Sequence, residues 1–163
     1  MFSAHMCAEV APEVDCVELT APDGSPLPTE GVIGETIVMA RPMDRFFNLG
    51  AGADVLTLAD GTNTVTTQNV ESVTGGTGDD TLTLAVAASG VTINLAAGND
   101  ALVLANGANT LSVSNVESIT GGTGADAITL GAGSSAGTVD LGSGADVLTL
   151  SNSDGVFTVS NVE

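Results

Sequence analysis

The chain has 163 residues, enough for one ordinary domain, and carries 20 acidic residues against two arginines and no lysine, for a net charge of −18. Nucleic acid and anionic membrane surfaces are poor partners for such a chain, because both are held by Lys and Arg. From Asn48 onward there are 12 acids and no base at all, so a cation is the natural partner for its carboxylates.

Met1 to Phe47 differ in composition from the rest. All five prolines, both cysteines, both arginines and the only histidine lie there. His5-Met6 matches a cloning junction, in which case the first five residues are vector-derived. Val14–Leu19 and Thr36–Ala40 read as short strands, separated by turn chemistry at Pro22-Asp23-Gly24 and Pro26-Leu27-Pro28. Residues 1–47 are therefore expected to form an irregular segment that caps whatever follows. Cys7 and Cys16 form either a short-loop disulfide or two free thiols; spacing leaves both open. A zinc site is improbable with only His5 to join them. No apolar run reaches the roughly 18 residues of a membrane-spanning helix, and no basic-then-apolar leader is visible at the N-terminus.

Residues 48–163 are organised by one recurring stretch. Gly75-Gly76-Thr77-Gly78-Asp79-Asp80-Thr81-Leu82-Thr83-Leu84 returns as Gly121-Gly122-Thr123-Gly124-Ala125-Asp126-Ala127-Ile128-Thr129-Leu130, with looser copies starting at Leu49, Leu95 and Leu141. The motif aspartates Asp54, Asp80, Asp100, Asp126 and Asp146 are spaced by 26, 20, 26 and 20, a period of 46 with two motifs in each. Asn69-Val70-Glu71 recurs with the same period as Asn115-Val116-Glu117 and Asn161-Val162-Glu163. Apolar residues two and four positions after each aspartate (Leu56/Leu58, Leu82/Leu84, Leu102/Leu104, Ile128/Leu130, Leu148/Leu150) share one face of a strand. A second apolar column falls eleven and thirteen positions after, interrupted by Thr67. The fold expected is all-β: a right-handed parallel β-helix or β-roll solenoid of about five coils. Each coil would carry one motif, its length alternating between 20 and 26 as the aspartate spacing does, with Asn69–Thr74 and Asn115–Thr120 as insertions in alternate coils. A single column of aspartates follows. The absence of proline after Pro42 fits, since each inner strand needs its N–H groups.

The repeat, G-x-G-x-D-x-(Leu/Ile)-x-Leu, resembles that of the RTX (haemolysin-type calcium-binding) family, G-G-x-G-x-D-x-U-x. The resemblance covers Leu49 to Glu163. It implies that Ca2+ is held by Asp54, Asp80, Asp100, Asp126 and Asp146, with carbonyls from Gly50, Gly52, Gly76, Gly78, Gly98, Gly122, Gly124, Gly142 and Gly144. Calcium takes six to eight hard oxygens, which short carboxylates and glycine-turn carbonyls from stacked coils supply. Five turns would give at most about four sites. Stacked carboxylates roughly 5 Å apart repel by about 3 kcal/mol at an effective dielectric of 20, so folding is expected to depend on the cation. The structural alternative is that the turns are tight Asx-type corners.

The family also implies a secreted or cell-surface protein, and the chain reads as cut mid-repeat from a longer array. The first functional expectation is a calcium-stiffened, non-catalytic spacer in an adhesin, surface-layer protein or exoprotein, with neighbouring repeats as partners and end-to-end self-association at the last coil. The second is an ice-binding solenoid, from the near-regular column Thr57, Thr83, Val103, Thr129, Thr149. The third is the non-catalytic C-terminal repeat region of a secreted protease or lipase. Gly133-Ser134-Ser135-Ala136-Gly137 matches a nucleophile elbow in letters only, because that motif needs a strand–turn–helix and a histidine, and the only histidine is His5. The expectation is no catalysis.

Overall fold

The computed structural model describes residues 34, 36–134, 137–150 and 155–163, and the backbone of 5–10, 13–18 and 136. The proline-rich turns expected at 22–28, and Ser135 of the elbow-like stretch, lie outside the described residues. Sixteen strands and no helix are present among those described. β1 (His5–Val10) and β2 (Glu13–Glu18) form an antiparallel hairpin whose register sets the Cys7 backbone opposite Cys16.

The other strands alternate between two seven-stranded sheets. The chain runs through β3 (Thr36–Val38), β4 (Asp44–Asn48), β5 (Val55–Thr57), β6 (Thr64–Gln68), β7 (Ser72–Thr74), β8 (Thr81–Leu84), β9 (Ser89–Asn94) and β10 (Ala101–Val103). It continues through β11 (Thr110–Ser114), β12 (Ser118–Thr123), β13 (Ala127–Leu130), β14 (Ala136–Ser143), β15 (Val147–Leu150) and β16 (Val156–Ser160). Odd-numbered strands build one sheet and even-numbered strands the other, each in strict sequence order and parallel throughout. The parallel β-solenoid expected from the apolar columns is the observed architecture. Its sheets begin at β3 and β4, so part of the segment read as a cap supplies solenoid strands.

The coil is shorter than expected. On the odd sheet Val55 pairs with Ser72, and Ser72 with Thr92. On the even sheet Thr64 pairs with Thr81, and Thr81 with Ala101. Both series advance by the separations that link Asn63 to Asp80 and Asp80 to Asp100, which are 17 and 20. These coil lengths replace the expected 20 and 26. The supposed insertions contain strands: Ser72–Thr74 is β7, and Ser118–Thr120 opens β12. The repeat period thus spans two and a half coils. Val55 lies on β5 in the odd sheet, Ala101 on β10 in the even sheet and Val147 on β15 in the odd sheet.

The core is the narrow space between the sheets. Leu56, Val65, Val73, Leu82, Ile93, Leu102, Val113, Ile119, Ile128 and Leu141 are fully buried, one or two per strand. Strand alternation is the cause: in Thr81-Leu82-Thr83-Leu84 both leucines are buried and both threonines half-buried.

Candidate functional site: two buried carboxylate ladders

Each motif aspartate sits immediately before a strand, where the chain rounds an edge of the solenoid, and all five are buried. They do not form one column. Asp80 and Asp100 precede β8 and β10 on the even-sheet edge; Asp54, Asp126 and Asp146 precede β5, β13 and β15 on the odd-sheet edge. The longer step between motifs is one and a half coils and carries the motif across the molecule. The shorter step is one coil and stacks it. Only Asp80 with Asp100, and Asp126 with Asp146, are stacked neighbours, so four stacked intervals reduce to two.

The edges are ordered by a hydrogen-bond ladder. On the even edge the Met43 N–H donates to Asn63 Oδ1 (3.3 Å), Asn63 N–H to Asp80 Oδ1 (2.9 Å), Asp80 N–H to Asp100 Oδ1 (2.8 Å) and Asp100 N–H to Glu117 Oε2 (2.8 Å). On the odd edge the Ala88 N–H donates to Asn109 Oδ1 (3.0 Å), Asn109 N–H to Asp126 Oδ1 and Asp126 N–H to Asp146 Oδ1 (both 2.8 Å). Farther along that edge the Asp54 N–H donates to Glu71 Oε2 (2.7 Å). Each rung accepts from the backbone one coil earlier; the order is Asn–Asp–Asp–Glu on the even edge and Asn–Asp–Asp on the odd edge, which fixes where aspartates meet.

Asn63, Asn109, Glu71 and Glu117 were not singled out by sequence reasoning. Their signal was present. Ala59-Asp60-Gly61-Thr62-Asn63 has the shape of Gly76-Thr77-Gly78-Asp79-Asp80 with asparagine for aspartate, and the two glutamates close the recurring Asn-Val-Glu.

The glycine turns stack as the aspartates do. The Gly78 N–H donates to the Ala97 carbonyl (2.8 Å) and Gly124 N–H to the Ser143 carbonyl (2.8 Å). A Cβ on Gly98 would collide with the Gly78 carbonyl oxygen and stand 2.8 Å from Asp100 Oδ1; one on Gly144 would collide with the Gly124 carbonyl oxygen, 3.0 Å from Asp146 Oδ1. Gly76, Gly78 and Gly98 therefore gather around one aspartate pair, and Gly122, Gly124, Gly142 and Gly144 around the other. Gly50 has open space about its Cβ direction, and Gly52 is exposed; the turn before Asp54 stacks on the chain at Gly34, whose Cβ would collide with the Ala53 carbonyl oxygen, and not on another motif turn.

The first glycine of the loose motif has a backbone reason. Gly50 and Gly142 have φ of 89° and 84°, and Ala96 is forced to 69° at the same place. An L-residue there costs about 1–2 kcal/mol. Ala96→Gly is expected to raise stability by about 1 kcal/mol, read as a higher urea midpoint with an unchanged slope.

Buried carboxylates without cationic partners carry an electrostatic cost. The second oxygens of Asp80, Asp100 and Asp126 are buried and receive no hydrogen bond. Burial pushes the Asp100 carboxyl up to about 6 from 3.8; the Asp80 N–H opposes this, while the carboxylates of Asp80, Glu117 and Asp79 reinforce it. At the half-buried Asp140, hydrogen bonds from the Asn161 side chain and the Gly142 N–H hold the carboxyl below its ordinary value. For Asp100 the folded chain holds a proton that the unfolded chain has released, so stability falls as pH rises from about 4 to about 6, by at most about 3 kcal/mol. In chelator, β-structure content is expected to be higher at pH 4.5 than at pH 7.

The donor set fits a hard cation: carboxylate oxygens in pairs, turn carbonyls beside them, and no nitrogen or sulfur ligand. Among the described residues no three acidic, His or Cys side chains converge as a metal-holding group, so a bound cation would take much of its coordination from backbone carbonyls. No helix among the described residues is long and apolar enough to cross a membrane. Comparison with known proteins finds no matching family model, no matching curated protein and no matching solved structure.

Proposed function

We propose that this chain is an RTX-like, calcium-binding structural repeat module of a secreted or cell-surface protein, a stiff spacer in an adhesin, surface-layer protein or exoprotein. The observation that carries the reading is the set of buried carboxylate oxygens on Asp80, Asp100 and Asp126 with no hydrogen-bond donor. A buried charge left unpaired is costly, and a divalent cation cancels it while tying two coils together. Asp80 and Asp100 with the carbonyls of Gly76, Gly78 and Gly98 would hold one ion, and Asp126 and Asp146 with those of Gly122, Gly124, Gly142 and Gly144 another. Binding and folding are then one event. The outermost strands β15 and β16 leave Val147, Leu150, Val156 and Val159 exposed, which supports association with a further coil or a second copy at that end.

Far-UV circular dichroism of the chelated chain under calcium titration, with magnesium as control, tests this. A cooperative coil-to-β change with calcium alone is expected. An unchanged β spectrum in chelator would make the turns structural corners and remove the calcium reading.

The ice-binding reading has a specific observation too. The expected column breaks up, since Thr57, Thr129 and Thr149 lie on the odd sheet and Thr83 and Val103 on the even one. A different array replaces it: Thr64/Thr66, Thr81/Thr83, Ala101/Val103 and Ser118/Thr120 stack in register on the outer even face. Thermal hysteresis of the folded protein is the deciding measurement, and its absence removes this reading.

A further inference from the structure

The asparagine and aspartate rungs differ at a single atom. Asn63 Oδ1 accepts the N–H from the preceding coil, as Asp80 Oδ1 and Asp100 Oδ1 do. With that oxygen fixed, the other side-chain atom of Asn63 is Nδ2, which donates to the carbonyls of Ala59 (2.9 Å) and Gly61 (2.8 Å), four and two residues back. Asn109 repeats this with the carbonyls of Ala105 and Gly107, both at 2.9 Å. In Asp80, Asp100 and Asp126 the atom in that role is a buried Oδ2 with no hydrogen bond. The carbonyls four and two residues back are those of Gly76 and Gly78, Ala96 and Gly98, and Gly122 and Gly124. Oxygen facing oxygen repels, so an aspartate rung needs a positive charge where an asparagine rung brings its own donor.

We infer that Asn63 and Asn109 are the cation-free form of the aspartate rung, so that the choice of Asn or Asp decides, coil by coil, whether the solenoid needs a metal. On the even edge Asn63 below and Glu117 above limit the aspartate pair, and on the odd edge Asn109 lies below Asp126. The chain then takes one cation between Asp80 and Asp100 on one edge and one between Asp126 and Asp146 on the other, the two places where one motif aspartate stacks on another. The count of two rests on the calcium reading; the equivalence of asparagine and aspartate rungs does not.

The test uses the full chain and three variants: Asp80→Asn/Asp100→Asn, the fourfold variant that adds Asp126→Asn/Asp146→Asn, and Asn63→Asp. Calorimetric titration should count two calcium ions in the parent chain, one in the double variant and none in the fourfold variant. In chelator the fourfold variant should have the β spectrum of the calcium-loaded parent, or a higher thermal midpoint if the parent is already folded there. Asn63→Asp should move the chelated chain the opposite way. Four ions in the parent, an undiminished count in the double variant, or a fourfold variant no better folded in chelator than the parent would each overturn the inference. No calcium uptake by the parent would remove the calcium reading and the two-ion count, while the spectra in chelator would still decide the asparagine equivalence.

Discussion

Gly121→Ala is expected to destabilise the solenoid by more than about 3 kcal/mol and to shed β structure on heating well before the parent. A Cβ on Gly121 would overlap the carbonyl oxygen, carbonyl carbon and Cα of Leu141, all backbone atoms of the next coil. No side chain can swing aside to make room. Relief requires separating the backbones of the coils at β12 and β14, which are joined from Ser118–Thr138 to Thr123–Ser143. Overpacking commonly costs about 1–3 kcal/mol where side chains can adjust, so a clash with stiff backbone belongs above that range. Thermal melting in saturating calcium is the measurement, and Gly90→Ala is the control, because open space surrounds its Cβ direction although its φ is 75°. That substitution should cost only the strain of its φ, about 1–2 kcal/mol.

Asn109→Leu is the second large effect, expected at about 3–5 kcal/mol in saturating calcium. Asn109 is fully buried and keeps four groups supplied: the Ala88 N–H, the carbonyls of Ala105 and Gly107, and Asp126 Oδ1, to which it donates from both backbone and side chain. Leucine has similar bulk and leaves three of these groups without their contact. Each buried group without a partner costs about 1–3 kcal/mol. Urea denaturation at fixed pH reads the loss. The backbone bond from Asn109 to Asp126 survives in the variant, which places the deficit on the side chain rather than on strand register.

The apolar columns of the repeats were sufficient to read the fold class, because the pairs Leu56/Leu58, Leu82/Leu84, Leu102/Leu104 and Ile128/Leu130 recur two residues apart over runs too short for helices. The buried aspartates were legible for the same reason: one short carboxylate recurs at a fixed offset before each strand. The coil length was not. Both sheets receive strands of the same inward–outward alternation, so the apolar pattern has a half-coil period and cannot say whether a motif returns to its own edge. Asn69–Thr74 looked like an insertion because its strand, Ser72–Thr74, contributes a single buried residue, Val73. Asn63 is inconspicuous in the sequence since its polar side chain follows Asp60-Gly61 and reads as ordinary turn chemistry. Its role depends on Asp80, in the next coil, and becomes visible only when the coils are stacked.

A repeat of two and a half coils also has a hereditary consequence. Gain or loss of one such unit would turn every downstream strand over to the opposite sheet, exchanging left and right for the remainder of the rod, whereas gain or loss of two units would restore the arrangement. What the odd face displays in one unit the even face displays in the next, as Val55, Ala101 and Val147 do in turn. Duplication can therefore lengthen such a rod without giving it a front and a back, and a surface feature confined to one side must come from substitution within single units.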